Sequence, residues 1–191
     1  MLDPVIIDNV FTPKEIARIH ELKHEPARNA EYDPYCRRFM IHTDELERDY
    51  SSKLEPIARE IFGDSSIRTS FSAYVRYAWS NSRLPRHLDM DAGAYTIDYC
   101  LSQKTEPWAI IIDEKEYFLE PNQAIAFVGS KLEHYRNEIT DPENNEVEML
   151  LFHFEPANSW LFNRCEDFVL DSEKESGISK VGLPEFFGKI E

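Results

Sequence analysis

The sequence predicts a mainly β fold: a jelly roll with a layer of helices at its N-terminal side. Three observations predict it. Before residue 67, apolar residues recur at helical spacing. From Ile67 the period changes to two, the spacing of a half-buried strand. Six short β-forming runs with turn signals between them then fill the chain as far as Phe154. Helices followed by many short antiparallel strands fit a jelly roll with helices packed on one sheet.

Val5-Ile6-Ile7 is an apolar, β-branched opening strand. Thr12-Pro13-Lys14-Glu15 starts a helix: Thr12 caps, Pro13 takes the first helical position and Glu15 completes a capping box. Ile16, Ile19 and Leu22 form its buried stripe, and Pro26 ends it. Residues 25–35 are polar, hold Pro26 and Pro34, and are expected to form a surface loop, either a connector or a lid. A second helical region starts at Thr43, with Leu46, Tyr50, Leu54, Ile57, Ile61 and Phe62 as its stripe. Pro56 makes it one kinked helix or two short ones, and Gly63 caps its end.

Ile67, Thr69, Phe71, Ala73, Val75, Tyr77 and Trp79 share one face of the next strand, with Arg76 on the other. The later strands are Thr96–Leu101, Trp108–Ile112, Glu116–Leu119, Ala124–Val128, Glu133–Arg136 and Val147–Phe154. Asp113-Glu114-Lys115 and Glu120-Pro121-Asn122-Gln123 are turns, and Thr140 to Glu146 is an acidic excursion. One domain is expected: a strand and helical layer over residues 1–66, a jelly-roll core over 67–156 and an extension over 157–191.

The formal charge of −15 repels phosphate backbones, so nucleic acid is not an expected partner unless the fold gathers a local basic patch; the same charge also serves solubility alone. Cys36, Cys100 and Cys165 form no CxxC pair, so neither a zinc cage nor a disulfide framework is indicated. Reduced thiols, a start without signal-peptide character and no apolar run of membrane-span length lead us to expect a cytoplasmic protein without a membrane partner. Composition does not set an oligomeric state.

His87 and Asp89 stand two apart, so on an extended segment their side chains share a face. His134 follows 45 positions after Asp89. Two His and one carboxylate with positions left open is the arrangement for non-haem Fe(II) that activates dioxygen. Asp91, on the same parity, is the rival for the carboxylate. Thr96, Asp98 and Cys100 alternate with Ile97, Tyr99 and Leu101, so one of these sets lines the interior. Asp98 there would select a cationic or hydrogen-bonding substrate group, or pair with a nearby Arg. His153 and Trp108 are further inner-sheet residues, Trp108 foremost as core, and Arg86 is read as a surface charge.

With these residues in place, the stretch from Val5 to Pro156 resembles the Fe(II)- and 2-oxoglutarate-dependent dioxygenases, in their prolyl 4-hydroxylase-like branch. Val5-Ile6-Ile7-Asp8-Asn9-Val10-Phe11-Thr12-Pro13-Lys14-Glu15 is similar to that branch's first strand and helix. The His87-Leu88-Asp89 triplet, the distal His134 and Tyr77, ten residues before His87, complete the resemblance. It implies a double-stranded β-helix, metal ligation by His87, Asp89 and His134, and a 2-oxoglutarate contact from Tyr77. The Thr96 face then lines the pocket and supplies substrate contacts with Asp98 and His153, while the Ile97 face packs under the helices. The implied cofactors are Fe(II), 2-oxoglutarate and O2, with ascorbate as an accessory reductant. The implied reaction is hydroxylation of an unactivated C–H, in a peptide side chain or small molecule, coupled to decarboxylation of 2-oxoglutarate to succinate. A carboxylate at Asp89, where related halogenases lack one, points to hydroxylation.

The chain departs from the branch in one respect. The basic residue that usually anchors 2-oxoglutarate beyond the distal His has no counterpart in Asp141-Pro142-Glu143-Asn144-Asn145-Glu146. Arg136 shares a strand face with His134 and offers a planar fork, so it is the expected anchor, with Arg76 as second choice. Two other readings stand beside this one: a cupin-like metalloenzyme that takes no 2-oxoglutarate, and a jelly-roll binding module without catalysis.

Overall fold

The computed structural model describes residues 3–24, 29–89, 93–104, 107–141 and 145–159. One compact unit runs from Met1 to Pro156. The acidic segment after Pro156 and the apolar residues Leu183, Phe186 and Phe187 fall almost wholly outside the described residues, as do Asp91 and Pro26.

Strand β1 (Val5–Ile7) leads into helix α1 (Pro13–Leu22). The capping box forms as the sequence predicts: the Glu15 amide donates to Thr12 Oγ1, and the Thr12 amide donates to Glu15 Oε2 at 2.7 Å. Thr12→Ala is expected to lower unfolding free energy by about 1 kcal/mol, read as a shifted urea midpoint with unchanged slope.

Within the expected loop over residues 25–35, the described residues Asn29–Asp33 instead form a strand. β2 (Asn29–Asp33) and β3 (Arg38–His42) form an antiparallel hairpin, and β3 pairs with β4 (Ile67–Tyr77). The sequence hides β2 because an edge strand carries few buried residues; only β3 shows large apolar side chains. The second helical region is continuous: a π-helical turn (Leu46–Tyr50) runs straight into α2 (Ser51–Phe62), which accommodates Pro56 and ends on Gly63 at φ 67°. Gly63 takes the left-handed conformation that its lack of Cβ permits.

The remaining strands are β5 (Leu84–His87), β6 (Tyr95–Gln103), β7 (Ile110–Ile112), β8 (Lys115–Tyr117), β9 (Ala124–Phe127), β10 (His134–Arg136) and β11 (Val147–Pro156). They complete a seven-stranded sheet, β1-β9-β6-β11-β4-β3-β2, and a four-stranded sheet, β5-β10-β7-β8. Every pairing is antiparallel. This is the jelly roll with N-terminal helices that the sequence predicts.

Side-chain parity on the large sheet divides the interior in two. Ile97, Tyr99, Leu101, Leu150, Phe152 and Phe154 pack with Leu54, Ala58 and Phe62 of α2. The alternate residues Cys100, Ile125, Phe127, Val147 and Met149 pack with Ile110 and Ile112 of the small sheet. Thr96 and Asp98 share the parity of Cys100, so their side chains face the interior between the sheets. Among the described residues, no helix is long and apolar enough to cross a membrane.

Candidate metal centre and adjoining cavity

Two strands of the small sheet bring the histidines together. His134 of β10 is the register partner of His87 of β5, and their rings lie 4.2 Å apart, centroid to centroid. Pro85 is tolerated because β5 is an edge strand. The pairing shifts register just beyond: His134 faces His87 but Arg136 faces Leu84. Such irregularities re-aim side chains next to functional sites.

Both imidazoles are held the same way. His87 Nδ1 lies 2.7 Å from the Pro85 carbonyl oxygen and His134 Nδ1 lies 2.9 Å from that of Leu132. A carbonyl only accepts, so each Nδ1 carries the proton. Each Nε2 is left facing Asp89 Oδ1, at 3.4 Å from His87 and 3.5 Å from His134. The three donor groups lie within 4.8 Å of one another. Donors about 2.0–2.2 Å from a common ion and at right angles to each other lie about 3 Å apart, so the spacing fits one divalent metal.

Asp89 is fixed from behind. Its amide donates to the Gly129 carbonyl at 3.0 Å. Thr96 Oγ1 donates to its Oδ2 at 2.6 Å and lies 3.2 Å from His153 Nδ1. A Cβ on Gly129 would fall 2.0 Å from Asp89 Oδ2, and one on Gly93 would fall 2.8 Å from His153 Nδ1. Burial alone would raise the Asp89 carboxyl, but the His134 and His87 contacts outweigh it and hold the group far below the usual carboxylate range. Burial likewise works to lower His134, and its contact with Asp89 raises it overall. The centre thus keeps Asp89 as the carboxylate.

A cavity of about 70 Å³ adjoins the three donors, with Arg38, Tyr77, Leu84, Thr96, Asp98, Arg136, Met149, Leu151 and His153 completing its wall. A single water needs only on the order of 10–15 Å³, so the cavity has room for more than one water-sized group. Arg136 is 4% exposed. Its Nη1 donates to the Trp108 carbonyl at 2.8 Å and its guanidinium lies 5.2 Å from the Trp108 ring centroid. Its Nη2 is buried and makes no hydrogen bond among the described residues; Asp98 Oδ2 lies 3.7 Å away. A buried donor without an acceptor is costly, and here it lines a cavity.

Tyr77 is buried against Trp108, ring centroids 4.8 Å apart. Its hydroxyl accepts from Arg38 Nη1 at 3.0 Å. Burial raises the phenol above its ordinary value and the nearby Arg38 and Arg136 only reduce that rise. The phenol therefore keeps its proton, and since Arg38 occupies an acceptor position, that proton remains available for donation. Arg38 is held in turn by Asp33, 3.0 Å from its Nε.

The structure thus gathers His87, Asp89, His134, Arg136, Tyr77, Thr96, Asp98 and His153 around one cavity. It does not bring Arg76 there. Arg76 lies on the opposite face of β4 from Tyr77, bonded to Glu146 at 2.6 Å, with its side chain 42% exposed. The second-choice anchor is corrected on strand parity alone. Thr96 is already engaged with Asp89, so its hydroxyl acts first on that carboxylate rather than on a substrate. Arg86 is a surface charge as expected, bonded to Glu114 and Glu133 and stacked on Tyr135. Sequence reasoning missed Arg38, which heads the five-residue strand β3 ahead of the apolar Phe39-Met40-Ile41 and bonds to Tyr77, and the two glycines against Asp89.

No family model matches the sequence, and no curated protein matches it. Solved structures do. An oxidoreductase of the 2OG-Fe(II) oxygenase family from Burkholderia pseudomallei superposes with a TM-score of 0.62 at 13% identity, covering 80% of this chain and 84% of that one. A Pseudomonas putida prolyl-4-hydroxylase gives 0.61 at 11% identity, with 80% and 92% covered. HygX from Streptomyces hygroscopicus, solved with nickel and 2-oxoglutarate bound, gives 0.60 at 12%, with 81% and 83% covered. The fold is that of the 2-oxoglutarate and Fe(II) oxygenases, the double-stranded β-helix. The double-stranded β-helix that the resemblance in the sequence implies is borne out.

Proposed function

We propose that the chain is an Fe(II)- and 2-oxoglutarate-dependent oxygenase that hydroxylates an unactivated C–H of a small molecule or peptide side chain, yielding succinate from the cosubstrate. One observation carries the reading. A two-His, one-carboxylate donor set stands at a cavity whose wall presents an unsatisfied guanidinium nitrogen. The first suits Fe(II) with open positions; the second suits the far carboxylate of a dianion.

In this reading His87, Asp89 and His134 hold the metal, which when bound supplies the dioxygen chemistry. The Pro85 and Leu132 carbonyls keep each imidazole in the tautomer that ligates through Nε2. Thr96 holds Asp89 Oδ2, leaving Oδ1 toward the histidines. Arg136 Nη2 would meet the cosubstrate's far carboxylate and Tyr77 would donate its proton to the same group, with Arg38 fixing the phenol. Leu84, Met149 and Leu151 exclude water from the stem between the two ends. With a metal bound, Asp89 would occupy the place that a halide would need, which favours hydroxylation.

Uncoupled turnover tests this. With Fe(II), 2-oxoglutarate and air, the protein is expected to form succinate slowly without any added substrate. His134→Ala is expected to bind metal at least 10–100-fold more weakly and to form succinate at the background rate. Equal succinate from parent and variant would sink the proposal. One observation favours a second reading: Asp98 puts a carboxylate on the wall of a cavity meant for a dianion. A cupin-like metalloenzyme that takes no 2-oxoglutarate would keep the metal and make no succinate.

A further inference from the structure

Asp98 is the buried titratable group that this mechanism leaves without a task. It is 4% exposed, and its partners on the neighbouring strands are Ile125 and Leu151, both apolar. Among the described residues its one close polar contact is Arg136 Nη2, at 3.7 Å, too long for a hydrogen bond. A carboxylate buried on such terms is costly. Bringing a second carboxylate to the same guanidinium would make it costlier still, because two like charges sharing a site do not both stay ionised.

We infer that Asp98 is carried as the neutral acid in the cosubstrate complex and donates its hydrogen bond to the carboxylate that Arg136 holds, so that 2-oxoglutarate binds with uptake of one proton from solvent at any pH where Asp98 is ionised in the free cavity. This rests on the proposed function and deepens it. Asp98 becomes a cosubstrate-binding residue, and the cavity selects a dicarboxylate through one permanent cation and one conditional donor. The charges facing Asp98 support the assignment. Arg136 and His134 face it from β10, His153 from β11, Arg38 and Tyr77 from β3 and β4, and Asp89 from the segment after β5. Burial raises the Asp98 carboxyl, and Arg136 and the histidines do not cancel that rise. An acid poised in this way changes state when an anion arrives; one with full hydrogen bonding would not.

The test is the affinity of the Ni(II)-loaded protein for 2-oxoglutarate across pH 6 to 9, for the parent and for Asp98→Asn. An amide of the same shape keeps a donor and cannot ionise. Affinity of the parent is expected to be flat while Asp98 is already neutral in the free cavity. Above that point it should fall by up to about tenfold per pH unit, until Asp98 ionises in the complex too. Asp98→Asn should stay near the parent's acidic plateau throughout and bind more tightly than the parent at pH 9. His153 is a second titratable group on the wall, but the variant leaves it in place, so the difference between the two proteins isolates Asp98. Calorimetry of the parent in buffers of unlike ionisation enthalpy should show the proton uptake directly, whatever the variant's folding. Superimposable pH profiles, or no uptake in the range where the parent's affinity falls, would overturn the inference. So would an Asp98→Asn protein weakened more than tenfold at every pH, because Asp98 would then serve as an anion that positions Arg136. If the Ni(II)-loaded parent binds no 2-oxoglutarate at any pH, the cosubstrate reading fails first and the inference with it.

Discussion

Arg136→Ala is expected to bind 2-oxoglutarate at least a hundredfold more weakly than the parent while binding metal almost unchanged. The guanidinium is buried, with Nη1 committed to the Trp108 carbonyl and Nη2 without a hydrogen-bond partner among the described residues. Deleting one partner of a buried ionic contact costs roughly 3–5 kcal/mol, and about 2.7 kcal/mol is already a hundredfold. The proposed metal donors do not depend on Arg136, because their orientation comes from the Pro85 and Leu132 carbonyls and from Thr96. Arg136→Lys should recover only part of the loss: a single ammonium cannot bind the Trp108 carbonyl and present a second planar donor at once. Parallel titrations of metal and of 2-oxoglutarate separate the two effects. Equal loss of both in Arg136→Ala would mean that the residue supports the fold rather than the ligand.

Gly129→Ala is expected to act in the opposite sense, on metal first. The added carbon would fall 2.0 Å from Asp89 Oδ2 and 2.5 Å from Thr96 Oγ1. No such contact is tolerated, so the carboxylate or the backbone must shift. The backbone is tied by the hydrogen bond from the Asp89 amide to the Gly129 carbonyl, and the carboxylate gives way. Displacing a ligand's support costs on the order of 10–100-fold in metal affinity, and displacing the ligand itself should reach the upper end. Gly63→Ala is the control. It has open space around it but a φ of 67°, so it should cost about 1–2 kcal/mol of stability and leave metal affinity alone. Equilibrium dialysis with Co(II), beside thermal melts, reads both quantities. Wild-type metal affinity in Gly129→Ala would show that Asp89 is not held where metal binding needs it.

The parts of the site carried by strand parity were legible in the chain. His87 with Asp89, and His134 with Arg136, lie two apart on extended backbone, and a period of two fixes their facing without any tertiary knowledge. The same rule separates Tyr77 from Arg76, so the second-choice anchor ran against information already in the sequence. Arg38 was not legible in that way. It reaches the cavity because β3 pairs with β4 in a register that sets Phe39 beside Arg76, leaving Arg38 next to Tyr77. Pairing between strands some 35 residues apart leaves no periodic mark. The glycine clamp on Asp89 is similar, since Gly129 marks itself only by what a Cβ would strike. The edge strand β2 was lost for the opposite reason: it buries too little to be patterned.

The most direct measurement is anaerobic titration of 2-oxoglutarate into the Fe(II)-loaded protein, following the visible metal-to-ligand charge-transfer band. A saturable band at one equivalent is predicted, absent from His134→Ala and displaced to much higher 2-oxoglutarate in Arg136→Ala. A parent protein that binds Fe(II) at His87, Asp89 and His134 yet never develops the band would contradict the account and leave the cupin-like reading in its place.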